Sequence, residues 1–242
     1  MSKIITPYEA SAESKKGQVK EMFDNIAPRY DLLNRALSLG IDVSWRRKAI
    51  RLLKPFSPKT VLDLATGTAD FAIEARKLQP DSIVGIDIAP QMLSVGREKI
   101  AKAGLDPLIE LKTGDAEQLD YPDESFDAVT IGFGVRNFEN LTKGLQEIHR
   151  VLSPGGAVAI LEPAFPTQFP IKQLFQFHFN VLTPIIGKWI SGDQAAYEYL
   201  PNSVKAFPTG KEFVQMCKEE GFSSAKHIPL TFGICALYLL EK

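Results

Sequence analysis

Thr60-Val61-Leu62-Asp63-Leu64-Ala65-Thr66-Gly67-Thr68-Ala69-Asp70, then a helical run, then Ser82-Ile83-Val84-Gly85-Ile86-Asp87, is the stretch that decides the fold. It reads as an apolar strand, a small-residue turn, a helix, and a second apolar strand ending on a carboxylate. Such a βαβ unit builds a pocket at the carboxyl ends of its strands. An acidic residue there can accept both hydroxyls of a ribose.

The pattern repeats outward. Strands are predicted at 60–64, 82–87, 108–112, 126–132 and 157–162, with helices at 69–78, 90–103 and 140–152 between them. The strands are continuous apolar runs, which signals burial on both faces and a parallel sheet. Ser153-Pro154-Gly155-Gly156 is expected to end the third helix. A helix at 209–220 and two last strands near 225–231 and 233–240 complete an α/β chain of seven strands. Upstream, Val19, Met22, Phe23 and Ile26 fall at helical spacing and stop at Ala27-Pro28. A second helix covers 43–53. Residues 1–18 are polar and expected to be mobile. Residues 19–242 read as one domain. Within it 163–207, rich in Phe and Pro and poor in charge, is expected to be an inserted helical lid.

Composition excludes several classes. With 242 residues, 45% apolar, 24% charged and a net charge of -1, the chain is an ordinary globular one without a basic field for nucleic acid. No apolar run approaches the roughly 20 residues of a membrane span, and residues 1–18 lack a signal-peptide core. Cys217 and Cys235 are expected to be buried free thiols in a reducing compartment. The three histidines are scattered, which argues against a metal site. A cytoplasmic location follows, with membrane association open.

Two cofactor classes compete for the βαβ unit. A dinucleotide needs G-x-G-x-x-G so that the backbone can approach a pyrophosphate. The turn 65–69 has one glycine, Gly67. S-adenosylmethionine carries no phosphate; it needs a small-residue turn for its amino-acid end and an acid for its ribose. Asp63, Gly67 and Asp87 meet that need, and Asp115 in Gly114-Asp115-Ala116 could reach an adenine amine. Read structurally, Gly67 is a tight turn, Asp87 a helix cap before Pro90, and Asp115 a turn residue.

These motifs, with Phe126-Asp127 and Pro154-Gly155-Gly156, resemble class I S-adenosylmethionine-dependent methyltransferases. Tyr30-Asp31-Leu32-Leu33-Asn34, Ser38 and Trp45 resemble the N-terminal signature of the menaquinone/ubiquinone biosynthesis C-methyltransferases. Arg150–Glu162 resembles their second signature, and Gly132-Phe133-Gly134-Val135-Arg136-Asn137 their loop after the fourth strand. Leu33, Asp42, Ser153 and Ala164 depart from the family pattern, and Gly132 stands where some members place a cofactor-contacting Ser.

The resemblance implies a Rossmann-like fold with a mostly parallel seven-stranded sheet, helices on both faces, and a helical N-terminal segment and lid. It implies methyl transfer from S-adenosylmethionine to a ring carbon of a demethylated prenyl quinol. Demethylmenaquinol is the leading acceptor; a benzoquinol or another small hydrophobic acceptor stays open. Cofactor contacts are expected from Asp63, Ala65, Gly67, Thr68, Asp87, Ile88, Asp115, Ala116 and Gly132. Catalytic roles are expected for Arg136, which could stabilise a quinolate, and for Tyr30, Asp31 and Asn34. Each has a plainer reading, a salt bridge for Arg136 and local turn bonding for the other three. His178 reads as a lid histidine and Glu162 as an organiser of its loop. Phe165 to Trp189 could line a groove for the isoprenoid tail, or simply fill the lid's own core. The expected partners are the prenylated quinol, a peripheral contact with a membrane and a second copy of the chain, without nucleic acid.

Overall fold

Strand β1 (Thr60–Leu64) is the third of seven strands in a single sheet, and Val61, Leu62, Asp63 and Leu64 are all fully buried. The computed structural model describes residues 5–8, 11–177 and 194–242, without the side chains of 174, 176, 177 and 194–198. The other strands are β2 (Ser82–Asp87), β3 (Ile109–Thr113), β4 (Phe126–Gly132), β5 (Leu152–Pro163), β6 (Ser224–Leu230) and β7 (Cys235–Glu241). Their order is β3-β2-β1-β4-β5-β7-β6, and only β7 runs against its neighbours, pairing antiparallel with β5 and β6. The chain order reverses between β1 and β4, the switch point at which such sheets bind ligands.

Alternate side chains leave β1 for opposite cores. Leu62 and Leu64 join Val129, Ile131, Val158 and Ile160 under α6 (Leu141–Val151). Val61 joins Ala128, Ala159 and Leu161 under α3 (Asp42–Leu53) and α4 (Asp70–Ala75). The small residues on that second face let α3 lie close, with Trp45, Ala49, Ile50 and Leu53 all buried against the sheet. Helix α5 (Pro90–Lys102) starts with proline in the position where its missing N–H costs nothing.

The N-terminal segment differs from the expectation at one end. Helix α1 (Lys15–Ile26) starts four residues before Val19, capped by Ser14, whose hydroxyl accepts from the Gly17 N–H at 3.2 Å. Gln18, assigned to the polar tail, is buried, and its side-chain oxygen accepts from the Tyr8 N–H. Helix α2 (Tyr30–Ser38) follows, and α1 and α2 lie over the carboxyl ends of the strands. The turn 153–156 also differs: α6 stops at Val151, and these residues form a bulge between the Phe126–Leu152 and Ala128–Ala157 pairs.

Within 163–207 the described part holds α7 (Ile171–Phe177) and α8 (Gln194–Ala206); His178, Phe179 and Trp189 lie outside the described residues. Helix α9 (Lys211–Glu219) leads into β6. Cys217 and Cys235 are buried free thiols, as read from the sequence, and burial pushes the Cys217 thiol up to about 12. Among the described residues no helix is long and apolar enough to cross a membrane.

Asp127 belongs to the fold and not to the site. At the amino end of β4 it accepts from the N–H of Lys59 at 2.8 Å, the N–H of Thr60 at 2.9 Å and the Thr60 hydroxyl at 3.1 Å, clasping the start of β1. Replacing it strands those donors. Asp127→Ala should lower stability by about 1–3 kcal/mol in urea unfolding. An unchanged midpoint would remove the clasp from the account.

Candidate active site

Three left-handed residues in five, Ala65 (φ 49°), Gly67 (φ 55°) and Ala69 (φ 64°), coil the chain tightly as it leaves β1. Successive N–H groups in such a coil face a common concavity. Strain of this kind collects at binding sites. Asp63 holds the coil from beneath. Its buried carboxylate accepts from the Thr66 hydroxyl at 2.5 Å, the Ala72 N–H at 3.1 Å and the Thr130 hydroxyl at 2.6 Å. Burial pushes its pKa up to about 6 against those three bonds. At the tip of β4, Gly134 is required: a Cβ there would stand 2.5 Å from that of Ala65.

Asp87 ends β2 beside the coil. It is not a helix cap, since α5 is preceded by Ala89 with no side-chain cap. One oxygen accepts from the Gly67 N–H at 2.8 Å and the other from the Ala89 N–H at 2.9 Å. A carboxylate has about four acceptor sites, so two remain for a pair of ribose hydroxyls. Desolvation raises its pKa to about 6. Asp115 is less free than the sequence suggests. Its oxygens accept from the Lys16 ammonium at 2.6 Å and the Glu117 N–H at 2.9 Å, and Lys16 also lies 3.3 Å from Glu117.

Two joined clefts follow from this arrangement. The first, with about 620 Å³ of empty space, is walled by Asp87, Ile88, Asp115, Ala116 and Gly132, with Lys16, Val19 and Phe23 of α1 as its roof. The second is smaller and polar, bounded by Asp63, Thr66, Thr68, Asp70, Arg46 and Asn34. They meet at Tyr30, Ala65, Gly67, Gly132 and Phe133. All nine residues expected to contact the cofactor line one or the other. This donor set fits S-adenosylmethionine: an acid for the ribose, an apolar wall for the adenine, and a polar end for the amino acid.

A third cavity, about 1130 Å³ and mainly apolar, lies across Tyr30 and Phe133. Met22, Ile26, Leu33, Leu37, Trp45, Phe175, Leu200 and Ile234 supply its walls, and Asn34, Arg136 and Tyr199 its polar groups. Arg136 is almost fully buried; its guanidinium pairs with Glu162 at 2.9 Å and donates to the Phe133 carbonyl. Its Nε is buried with no partner among the described residues. Glu162, wholly buried, also accepts from the Arg136 N–H at 3.2 Å; burial raises its pKa, with Arg136 opposing.

Three of the four expected catalytic residues, Tyr30, Asn34 and Arg136, line this cavity. Asp31 does not. One residue on from Tyr30 is 100° round the helix, and there Asp31 accepts from the Thr68 hydroxyl at 2.6 Å and pairs with Lys99 at 2.8 Å. It fastens α2 to the coil. The plainer reading of Arg136 as a salt bridge is half right, for the bridge is buried. Sequence reading missed Lys16, which sits in a stretch taken as mobile. It missed Tyr199, whose hydroxyl donates to Asn137 at 3.1 Å. It quoted Phe133 without a role; the flanking glycines signalled its left-handed backbone (φ 61°).

Comparison with known proteins is consistent with this geometry. The family model described as the ubiE/COQ5 methyltransferase family matches residues 10–242. A demethylmenaquinone methyltransferase of Bacteroides fragilis is 50% identical over 239 residues, covering 98% of this chain and 97% of the relative. One of Deinococcus radiodurans is 48% identical over 94% of each. A ubiquinone/menaquinone biosynthesis C-methyltransferase of Geobacter sulfurreducens is 40% identical, over 98% of this chain and 93% of its own. Among solved structures, a SAM-dependent methyltransferase from Aquifex aeolicus superposes with a TM-score of 0.57 at 17% identity, over 80% of this chain and 88% of its own, a likeness of fold.

The ionisation of Asp87 gives a test. Because burial raises its pKa to about 6, it takes up a proton as pH falls through that value and loses acceptor sites. Affinity for S-adenosylmethionine by calorimetry should therefore fall about tenfold from pH 7 to pH 5. Asp87→Asn should weaken binding at pH 7 and flatten that dependence; a flat wild-type profile would count against the assignment.

Proposed function

The chain belongs to the ubiE/COQ5 methyltransferase family, and on that premise we propose that it methylates a ring carbon of demethylmenaquinol, a prenylated naphthoquinol, at the expense of S-adenosylmethionine. The observation that carries this reading is the buried Arg136, with an unpartnered Nε, in the wall of a large apolar cavity that adjoins the cofactor clefts. S-adenosylmethionine supplies a methyl group on a sulfonium. A C–C bond forms as the C–S bond breaks, and the ring gives up a proton to regain aromaticity.

The chain's own residues align and polarise. Phe133 and Tyr30 form the wall shared by the cofactor and acceptor spaces, so the two reactants meet there. A quinol carbon becomes nucleophilic as its neighbouring hydroxyl loses a proton. Arg136 stabilises the resulting oxyanion through its free N–H groups, and Glu162 fixes the guanidinium. Asn34 and Tyr30, which line the cavity together, orient the ring. The apolar walls take the start of the prenyl tail. Asp63, Ala65, Gly67, Thr68, Asp87, Ile88, Asp115, Ala116 and Gly132 hold S-adenosylmethionine. Because a prenylated quinol resides in a bilayer, the enzyme works in peripheral contact with a membrane.

Relatives named demethylmenaquinone methyltransferase at 48% to 50% identity favour the naphthoquinol. The Geobacter relative, whose name includes ubiquinone, keeps the benzoquinol as the second reading. Incubation with labelled S-adenosylmethionine and each demethylated quinol under reducing conditions tests both. Naphthoquinol should be methylated; transfer to neither ring would overturn the proposal.

Two variants probe the parts. Arg136→Ala should lower kcat about 10²–10³-fold, the usual cost of losing an oxyanion donor, with calorimetric affinity for S-adenosylmethionine unchanged; normal turnover rejects the role. Shortening the prenyl tail to a methyl group should raise KM, and indifference to tail length would remove the tail from the apolar cavity.

A further inference from the structure

Among the described residues five large apolar side chains stand in water, Phe169 in the 163–207 segment and four on α2 and the turns 39–41 and 231–233. Leu32 is 60% exposed, Leu39 77%, Ile41 37% and Phe232 74%. Leu32 and Arg35 fall at i and i+3 on the outer face of α2, and Leu39 is the residue that caps its end. Leu39 (φ 51°) and Phe232 (φ 58°) are both left-handed, a conformation that favours glycine or asparagine. Each is therefore costly twice over, in backbone and in exposure. Scattered exposed leucines need no account, but a cluster of strained ones does.

The two turns that carry them flank the acceptor cavity. Leu37, Ser38, Asp42 and Trp45, on either side of the turn 39–41, line it. The Trp45 indole donates to the Thr231 hydroxyl at 2.7 Å, drawing the turn at Phe232 alongside, and Ile234 lines the cavity again. Charge is gathered here as well. Residues 29–54 contain seven Lys and Arg against two Asp, in a chain whose net charge is -1. Asp42 is buried and paired with Arg46, whereas Arg35 and Arg47 are exposed beside the turn, Arg47 at 3.8 Å from Glu74; Arg51 and Lys54 are exposed at the far end of α3.

We propose that α2, the turn 39–41 and the turn at Phe232 form a docking surface for an anionic lipid bilayer, placing the acceptor cavity against the lipid. Apolar tips with exposed cations beside them suit an interfacial membrane contact. This surface lies outside the aromatic 163–207 segment, and it rests on the reading that the acceptor is a prenylated quinol. A second copy of the chain fits less well, because an isologous pairing would oppose Arg35 and Arg47 to their own images.

Sedimentation of the full chain with vesicles of phosphatidylglycerol and phosphatidylcholine tests this, with pure phosphatidylcholine vesicles as comparison. The wild type should bind the anionic vesicles more tightly than the neutral ones. Leu39→Asp with Ile41→Asp, and separately Arg35→Ala with Arg47→Ala, should each weaken that binding about tenfold or more, since one basic residue near an anionic surface is worth about fivefold. Turnover of a tailless naphthoquinol free of vesicles should match the wild type in both variants, which also shows that they fold. Wild-type chain left in the supernatant, or variants that bind equally well, would overturn the proposal. A dimer of the wild type that the aspartate variants dissolve would assign the surface to a second copy and overturn it too. Failure of the quinol reading would show separately, as absent methyl transfer to the tailless quinol by the wild type.

Discussion

The buried carboxylate of Asp63 is the constraint on which the site depends. Taking a carboxylate out of water is expensive, and the cost is met only where donors surround it. Here the donors come from the coil after β1 (Thr66), the first turn of α4 (Ala72) and the middle of β4 (Thr130). One group thus fixes the relative position of the strand, the coil and the helix that together make the switch point. With the coil held, the Gly67 N–H is turned to Asp87, and β1 and β2 share a rim. Gly134 lets the β4 loop close on Ala65 and completes that rim.

Above the rim, the N-terminal helices convert an open crevice into two spaces of opposite character. Lys15 donates to the carbonyls of Arg136 and Phe138, at 3.1 and 2.7 Å, and so caps the loop that carries Arg136. Asp31, with Thr68 and Lys99, fastens α2 onto the coil; Lys99 also reaches Asp70, and Arg46 bridges Asp70 and Asp42. These bonds pin α1 and α2 to the loops beneath them, while the face turned to the clefts, Met22, Phe23, Ile26, Tyr30 and Leu33, stays apolar. Phe23, Tyr30 and Phe133 remain common to both spaces, which is where a methyl group would have to cross.

The strands and the sheet class were legible because each rests on local chemistry, unbroken apolar runs and strand–helix alternation; the single-glycine turn and the carboxylates at strand ends are likewise local, and the fold brings them to one pair of clefts. What failed depends on long-range placement. Lys16 looks like tail, yet it meets Asp115 across 99 positions. Asp31 and Tyr30 are adjacent in sequence, and only the docking of α2 decides which one faces the third cavity. Tyr199 lies in a segment whose aromatic spacing is compatible with plain core, and nothing local says that it will reach Asn137. Asp127 belonged to a motif correctly quoted, but only the strand direction shows that it sits at the amino end, away from the ligand.

The pairing of Arg136 with Glu162 also resolves an electrostatic difficulty in the proposed chemistry. A bare guanidinium facing the acceptor would repel a sulfonium across the shared wall. Neutralised by a buried Glu162, it adds little net charge yet still presents donors to the oxyanion that forms when the quinol loses its proton and that is discharged as the C–C bond forms. The acids on the cofactor side, Asp87 above all, then leave that space mildly negative, with Lys16 offsetting Asp115 and Glu117. The charges of the two reactants are therefore matched separately, and the raised pKa of Glu162 is the cost of keeping them so. A lysine at 136 would retain the charge but not the rigid fork that bonds Glu162 and the Phe133 carbonyl together while leaving Nε for the ring.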